Sequence, residues 1–193
     1  MSSRKLIFPA RSVTLLIMLA CCQPASAQTD ADKISASATT GPVIEGYGPV
    51  FDIPADAMQL SNNQTHKVLF DVADGKRDRD SLNRRLETVA RFLNMHARNG
   101  VDTDHLQLAV IMHGGSTFSA LSDAAYQQRF GRDNPNTELI KALHEAGVEF
   151  WLCGQSAGYN GIKANELSDH IGLALSAMTV MVELSSQGYM LLP

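Results

Sequence analysis

The chain has 193 residues, 16 of them lysine or arginine and 20 aspartate or glutamate, for a formal net charge of −4. That length suits one domain with a full hydrophobic core that needs no disulfide staples. The acidic balance argues against nucleic acid as a partner, because binding it rests on basic side chains that neutralise phosphates.

Residues 1–27, MSSRKLIFPARSVTLLIMLACCQPASA, read as a secretory signal peptide: basic Arg4, Lys5 and Arg11, an apolar run over 13–22, and Ala25-Ser26-Ala27 as an A-x-A cleavage site. The run is about half of the roughly 20 residues needed to span a bilayer. The sequence has no longer apolar run, so a soluble periplasmic protein without a transmembrane segment in the mature chain is expected. A second reading takes Met18-Leu19-Ala20-Cys21 as an approximate lipobox that would lipidate Cys21; the methionine where leucine is usual makes it the weaker of the two. Cleavage after Ala27 leaves 166 residues with a net charge of −7 and Cys153 as the one remaining cysteine. An internal disulfide is then excluded, and a single thiol in an oxidising compartment is a candidate for reactivity or intermolecular pairing.

Residues 28–65 are expected to form a flexible tether and an extended N-terminal arm. The stretch 28–42 is small, polar and aperiodic. Residues 43–60 are apolar but broken by Gly46, Gly48, Pro49 and Pro54, which suits an arm lying on a surface, such as that of a neighbouring subunit.

From residue 66 to 193 the pattern predicts a single α/β domain. KVLFDV (67–72) is a short strand. Residues 80–99 carry Leu82, Leu86, Val89, Leu93 and Ala97 at helical spacing, with Asp80 as N-cap and Gly100 as stop. LQLAVIM (106–112) is a second buried strand, followed by a helix over 119–129 and a loop through Pro135. TELIKALHEA (137–146) is a helix capped by Asn136, and residues 148–153 are the third strand. After a glycine-rich loop, residues 172–176 form a short strand, 177–187 a helix and 189–192 a last strand. Near-continuous apolar strands between amphipathic helices indicate a three-layer α/β/α fold on a mainly parallel sheet of about five strands. Ligands of such folds bind beyond the carboxyl ends of the strands, where Asp71, His113 and Cys153 all fall.

IMHGGST (111–117) and GQSAG (154–158) imitate the oxyanion loop and nucleophile elbow of a serine hydrolase. The imitation fails because only 37 residues follow Ser156, with one histidine, His170, directly beside the only downstream aspartate, Asp169. Cys153-Gly154-Gln155-Ser156 also reads as C-x-x-S, a monothiol form that could hold a mixed disulfide or a persulfide but lacks a resolving cysteine. Cys153 and His113 supply two ligands where a metal needs three or four, so neither a metal nor a cofactor is expected.

Free cysteine is often core filler. Against that stand the strand-end position of Cys153 and a following turn whose N–H groups could favour a thiolate. Gly114, Gly154, Gln155 and Ser156 are therefore candidates for an anion-binding loop. His113 either serves as base or charge partner for the sulfur or caps its strand by hydrogen bonding. Asp71 and Asp74 are read as loop caps, Lys163 and His170 as surface residues, and Phe70, Phe150 and Trp151 as core.

The export signal together with GPVIEGYGPVF (41–51), KVLFDV, LAVIMHG (108–114), LHEAGVEFWLCGQSA (143–157) and ALSAMTVMVELSSQGYMLLP (174–193) resembles the exported, single-cysteine members of the DsrE/DsrF-like family. The family is named for a sulfur-trafficking protein of sulfur-oxidising bacteria. The strand-end cysteine after A-G-V and the closing V-E-L-x-x-x-G-Y-x-x-x-P are the most specific parts of a likeness covering about residues 41–193. The resemblance implies a parallel-sheet fold, frequent homo-oligomers and a cysteine that carries persulfide sulfur between partners, here Cys153. It implies a sulfur carrier or sulfurtransferase with a sulfur donor and acceptor, or a thiol protein, as partner. The rival reading is a non-catalytic module that binds a small ligand around His113 and Cys153.

Overall fold

The computed structural model describes residues 37–74 and 80–193. The signal peptide, the lipobox-like segment and residues 28–36 lie outside the described residues. Five strands form one sheet in the order β4-β3-β2-β1-β5: β1 His66–Val72, β2 Leu106–Met112, β3 Glu149–Cys153, β4 Gly172–Ala174 and β5 Met190–Leu192. Every pairing is parallel. Parallel neighbours need crossover connections, which the helices between strands supply.

The side-chain period of two divides each strand between two faces. Val68, Phe70 and Val72 of β1, Leu108, Val110 and Met112 of β2, and Phe150 and Leu152 of β3 point to one side. There they pack on Leu86, Val89 and Leu93 of α1 (Arg84–Arg98) and Leu139, Ile140 and Leu143 of α3 (Thr137–Glu145). Leu69, Ala109, Ile111 and Cys153 point the other way, against Ala177, Val180 and Leu184 of α5 (Ala177–Ser186). Among the described residues the outer layer on that face is α5, with Met178 and Val182 on it and Leu175 just before it exposed.

Several boundaries follow from tertiary contacts. Helix α1 is capped by Asn83, whose side chain accepts the Arg85 N–H, rather than by Asp80, which pairs with Arg132. Asn136 does not cap α3; its Oδ1 accepts the Asn83 backbone N–H at 2.7 Å, joining the two helix starts. The helix expected over 119–129 is two elements: a 3₁₀ helix, Gly114–Ala120, and α2, Asp123–Phe130, capped by Ser122. Between them Leu121 is extended and bridges to Leu167. The loop expected at 154–158 is instead a short helix, α4 (Gly154–Tyr159), that begins directly at the end of β3.

The N-terminal arm packs on α1 of its own chain. Asn94, fully buried, accepts the N–H groups of Val43 and Ile44 at 3.1 and 2.8 Å and donates to the carbonyls of Ile44 and Tyr47. Arg91 and Arg98 donate to the carbonyls of Pro49 and Gly41. Gly48 is required at the contact: a Cβ there would lie 2.2 Å from the Arg91 nitrogen, at a φ of +59°. Among the described residues no helix is long and apolar enough to cross a membrane.

Candidate functional site

Cys153 is the last residue of β3 and the N-cap of α4, with φ −64° and ψ 116°. An extended N-cap residue directs its side chain at the free N–H groups of the first helical turn. Cys153 is only 5% exposed, and groups at the starts of two helices act on its thiol. Burial pushes the thiol up. The backbone N–H of Ser156, the Ser156 hydroxyl and the N–H groups of Ala177 and Gln155 outweigh it and hold the thiol below its ordinary value. Ala177 opens α5, and its turn is fixed by Ser176, whose Oγ accepts the Thr179 N–H at 3.0 Å. Donors that favour the anionic form raise the thiolate fraction, and the thiolate is the nucleophile.

The predicted loop residues meet around this sulfur with distinct roles. Ser156 and Gln155 are among the groups that lower the Cys153 thiol. The Gly114 N–H donates to Ser156 Oγ at 3.2 Å, so Gly114 acts through the serine. Gly114 has a φ of +55°, and a Cβ on it would come within 3.0 Å of the Ala73 carbonyl. Gly154 supplies space: a Cβ there would lie 2.6 Å from the Ala174 carbonyl oxygen, where α4 starts against the turn before α5. Gln155 Nε2 also donates to the Leu175 carbonyl at 3.2 Å, tying that turn to α4.

His113 is not among the donors to the sulfur. Its Nε2 bonds Asp71 Oδ1 at 2.7 Å, with side chains 27% and 26% exposed. Ser116, fully buried, accepts the His113 N–H at 3.1 Å and donates back to the His113 carbonyl, and Thr117 donates to the Gly114 carbonyl. Ser116 and Ser176 were not identifiable as site residues from the sequence, and Asp71, placed at the ligand edge, was read as a loop cap. Asp71 and His113 become neighbours only through the β1–β2 register, in which Asp71 stands opposite Ile111.

The arrangement does not assemble a serine hydrolase. The Ser156 hydroxyl accepts the Gly114 N–H, while His170 stacks on His144 with ring centroids 4.7 Å apart. Among the described residues no group of three or more His, Cys, Asp or Glu could hold a metal ion. On the same sheet face, a cleft of about 280 Å³ lies between β3 and α5, lined by Glu149, Trp151, Val180 and Glu183 among others. It does not include His113 or Cys153.

Fold and site together define a parallel-sheet α/β protein with a hydrogen-bonded thiol at a strand end. The chain belongs to the DsrE/DsrF-like family, whose model matches residues 66–193. No curated protein matches the chain. Among solved structures it is similar to a protein of unknown function, MTH1491 of Methanobacterium thermoautotrophicum, at 14% identity and a TM-score of 0.50, covering 66% of this chain and 97% of that one. It is also similar to the ychN protein of E. coli, at 15% identity and a TM-score of 0.46, covering the same 66% and 97%. At this identity the first likeness shows the fold, and the second carries no argument.

Proposed function

We propose that this protein is an exported sulfur carrier or thiol-transfer protein in which Cys153 takes up sulfane sulfur as a persulfide and passes it to a partner. The observation that carries this reading is the position of Cys153, buried where β3 ends and α4 begins, with the Ser156, Gln155 and Ala177 groups holding its thiol below the ordinary value. Donors of this kind stabilise a thiolate and the anionic persulfide that replaces it. Membership of a family named for sulfur trafficking supports the same reading. Export to the periplasm rests on residues 1–27, and self-association on the apolar face left open beside α5.

The test is mass spectrometry of the intact protein. Purified with its thiols alkylated, or treated with polysulfide, it should carry one additional sulfur on Cys153. A folded protein whose Cys153 neither reacts with iodoacetamide nor gains sulfur would sink the proposal.

The second reading, a non-catalytic binding module, is favoured by the apolar cleft over Trp151. Under it, Cys153→Ser leaves function intact and substitutions that fill the cleft abolish it. Under the sulfur-transfer reading the outcomes are reversed.

A further inference from the structure

We propose that Asp71 is a positioning residue for proton transfer, holding the His113 imidazole so that it protonates the thiolate that departs when sulfur passes to Cys153. The inference rests on the sulfur-transfer reading of the site.

Three neighbouring strand ends bring the groups together. Asp71 stands opposite Ile111, and Ile111 opposite Trp151. Two residues further on, His113 and Cys153 leave β2 and β3 on the same face, because side chains alternate with period two. His113 is thus placed between the carboxylate on one side and the sulfur-bearing strand on the other.

The bond at 2.7 Å fixes the chemistry of the ring. An ionised carboxylate only accepts hydrogen bonds, so Nε2 carries a proton, and Nδ1 is the nitrogen that gains and loses one. The backbone carrying the imidazole is tied on both sides. The His113 N–H donates to the Val72 carbonyl at 3.1 Å, and the Gly114 N–H to the Ser156 hydroxyl on α4, the helix that Cys153 opens. The bond itself, between two half-buried side chains, sets the orientation of the imidazole.

The division of labour follows from the sulfur's own donors. Cys153 is held toward thiolate by groups other than His113. The remaining demand in transfer is on the leaving side. The Cys153 thiolate attacks the outer sulfur of a persulfide R–S–SH, and a bond forms between those two sulfurs. The original S–S bond breaks with its electron pair on R–S⁻, which takes the proton from the His113 imidazolium. The products are Cys153–S–SH, R–SH and neutral His113. The outer sulfur changes partner with no net oxidation, and His113 regains its proton from water.

A leaving-group comparison tests this. Persulfide formation on Cys153 is followed by mass spectrometry in single turnover, with wild type, Asp71→Asn, Asp71→Glu and His113→Ala. One donor is an alkyl persulfide, which releases a basic alkanethiolate. The other is thiosulfate, which releases weakly basic sulfite. Asp71→Asn and His113→Ala should slow the alkyl persulfide reaction about 10- to 100-fold while changing the thiosulfate reaction by no more than about 2-fold. Asp71→Glu, which keeps the carboxylate, should recover part of the loss. Iodoacetamide alkylation, whose iodide leaves without a proton, should proceed at the wild-type rate in all variants and thereby report an intact site. Equal slowing with both donors, or a normal alkyl persulfide rate in Asp71→Asn, overturns the role. A wild-type protein that takes sulfur from neither donor overturns the carrier reading itself, and this role with it.

Discussion

The Ser156 hydroxyl joins the two strand-end segments of this protein: it accepts the Gly114 N–H at 3.2 Å and is one of the groups that hold the Cys153 thiol below its ordinary value. One oxygen therefore couples the turn after β2 to the acidity of the thiol at the end of β3. The backbone N–H of the same residue also acts to lower the thiol. Ser156 thus matters to the site through its contact with sulfur, without being a nucleophile.

Ser156→Ala removes the hydroxyl donor and keeps the backbone donors. The thiol should move up toward its ordinary value, and alkylation of Cys153 at neutral pH should slow about 3- to 10-fold. The pH dependence of iodoacetamide labelling measures this. An unchanged profile would show that the hydroxyl does not tune the sulfur.

The lowered thiol also makes stability depend on pH. With the folded value below the unfolded one, the unfolded chain holds more protons in the window between them, so stability rises with pH across that window. The contribution is complete above the unfolded value of about 8.5 and is lost as pH falls through the folded value. Urea unfolding of wild type and Cys153→Ala at a series of pH values should show the wild-type advantage growing toward alkaline pH. A constant difference contradicts the assignment.

Gly154→Ala places a methyl group 2.6 Å from the Ala174 carbonyl. Both sides of that contact are backbone, so α4 and the turn before α5 must separate, at a cost of about 1–3 kcal/mol. Lower thermal stability and slower alkylation should appear together, since the Ala177 donor lies just beyond the displaced turn. Gly158→Ala is the control, because a Cβ there meets nothing within 4 Å.

Asn94→Ala empties the centre of the arm contact and leaves buried Ile44 groups without their side-chain partner. A loss of about 2–4 kcal/mol is expected, with hydrogen exchange rising first in residues 39–50. If exchange rises uniformly across the domain, the arm is not a separable unit.

Met178 and Val182 of α5, and Leu175 just before its cap, are each about three-quarters exposed, at 72–73%, and follow one another at spacings of three and four. If self-association uses this face, Met178→Glu should reduce the mass seen by light scattering to that of the monomer while leaving the melting temperature nearly unchanged. An oligomer that persists would place the contact elsewhere.

Sequence reading located the sheet well because its strands are apolar runs bounded by polar or glycine punctuation. LQLAVIM coincides with β2, and the reading of β1 and β3 ends within one residue of the strands. The segment 154–158 was misleading because its glycines suggest a loop. Only Gly154 has a steric role there, against Ala174, and such a short helix is held by tertiary contacts that local composition does not show. Asp71 looked like a loop cap for a related reason: its partner is 42 positions away, and the pairing depends on a register set by the packing of both strands. That α5 is the one helix on the Cys153 face among the described residues was also hidden, because the strands are as apolar there as on the covered side.

The way the arm is seated on α1 has a practical consequence for orienting the molecule. Ile44 packs into the core on the α1 and α3 side of the sheet, whereas Cys153 belongs to the cluster beneath α5. Thr39 is held by Arg98 at the far end of α1. Whatever is joined ahead of residue 37, such as an affinity handle or a surface linker, is therefore attached on the reverse side from the thiol. Immobilised by that route, the protein would present its reactive edge outward to a soluble partner.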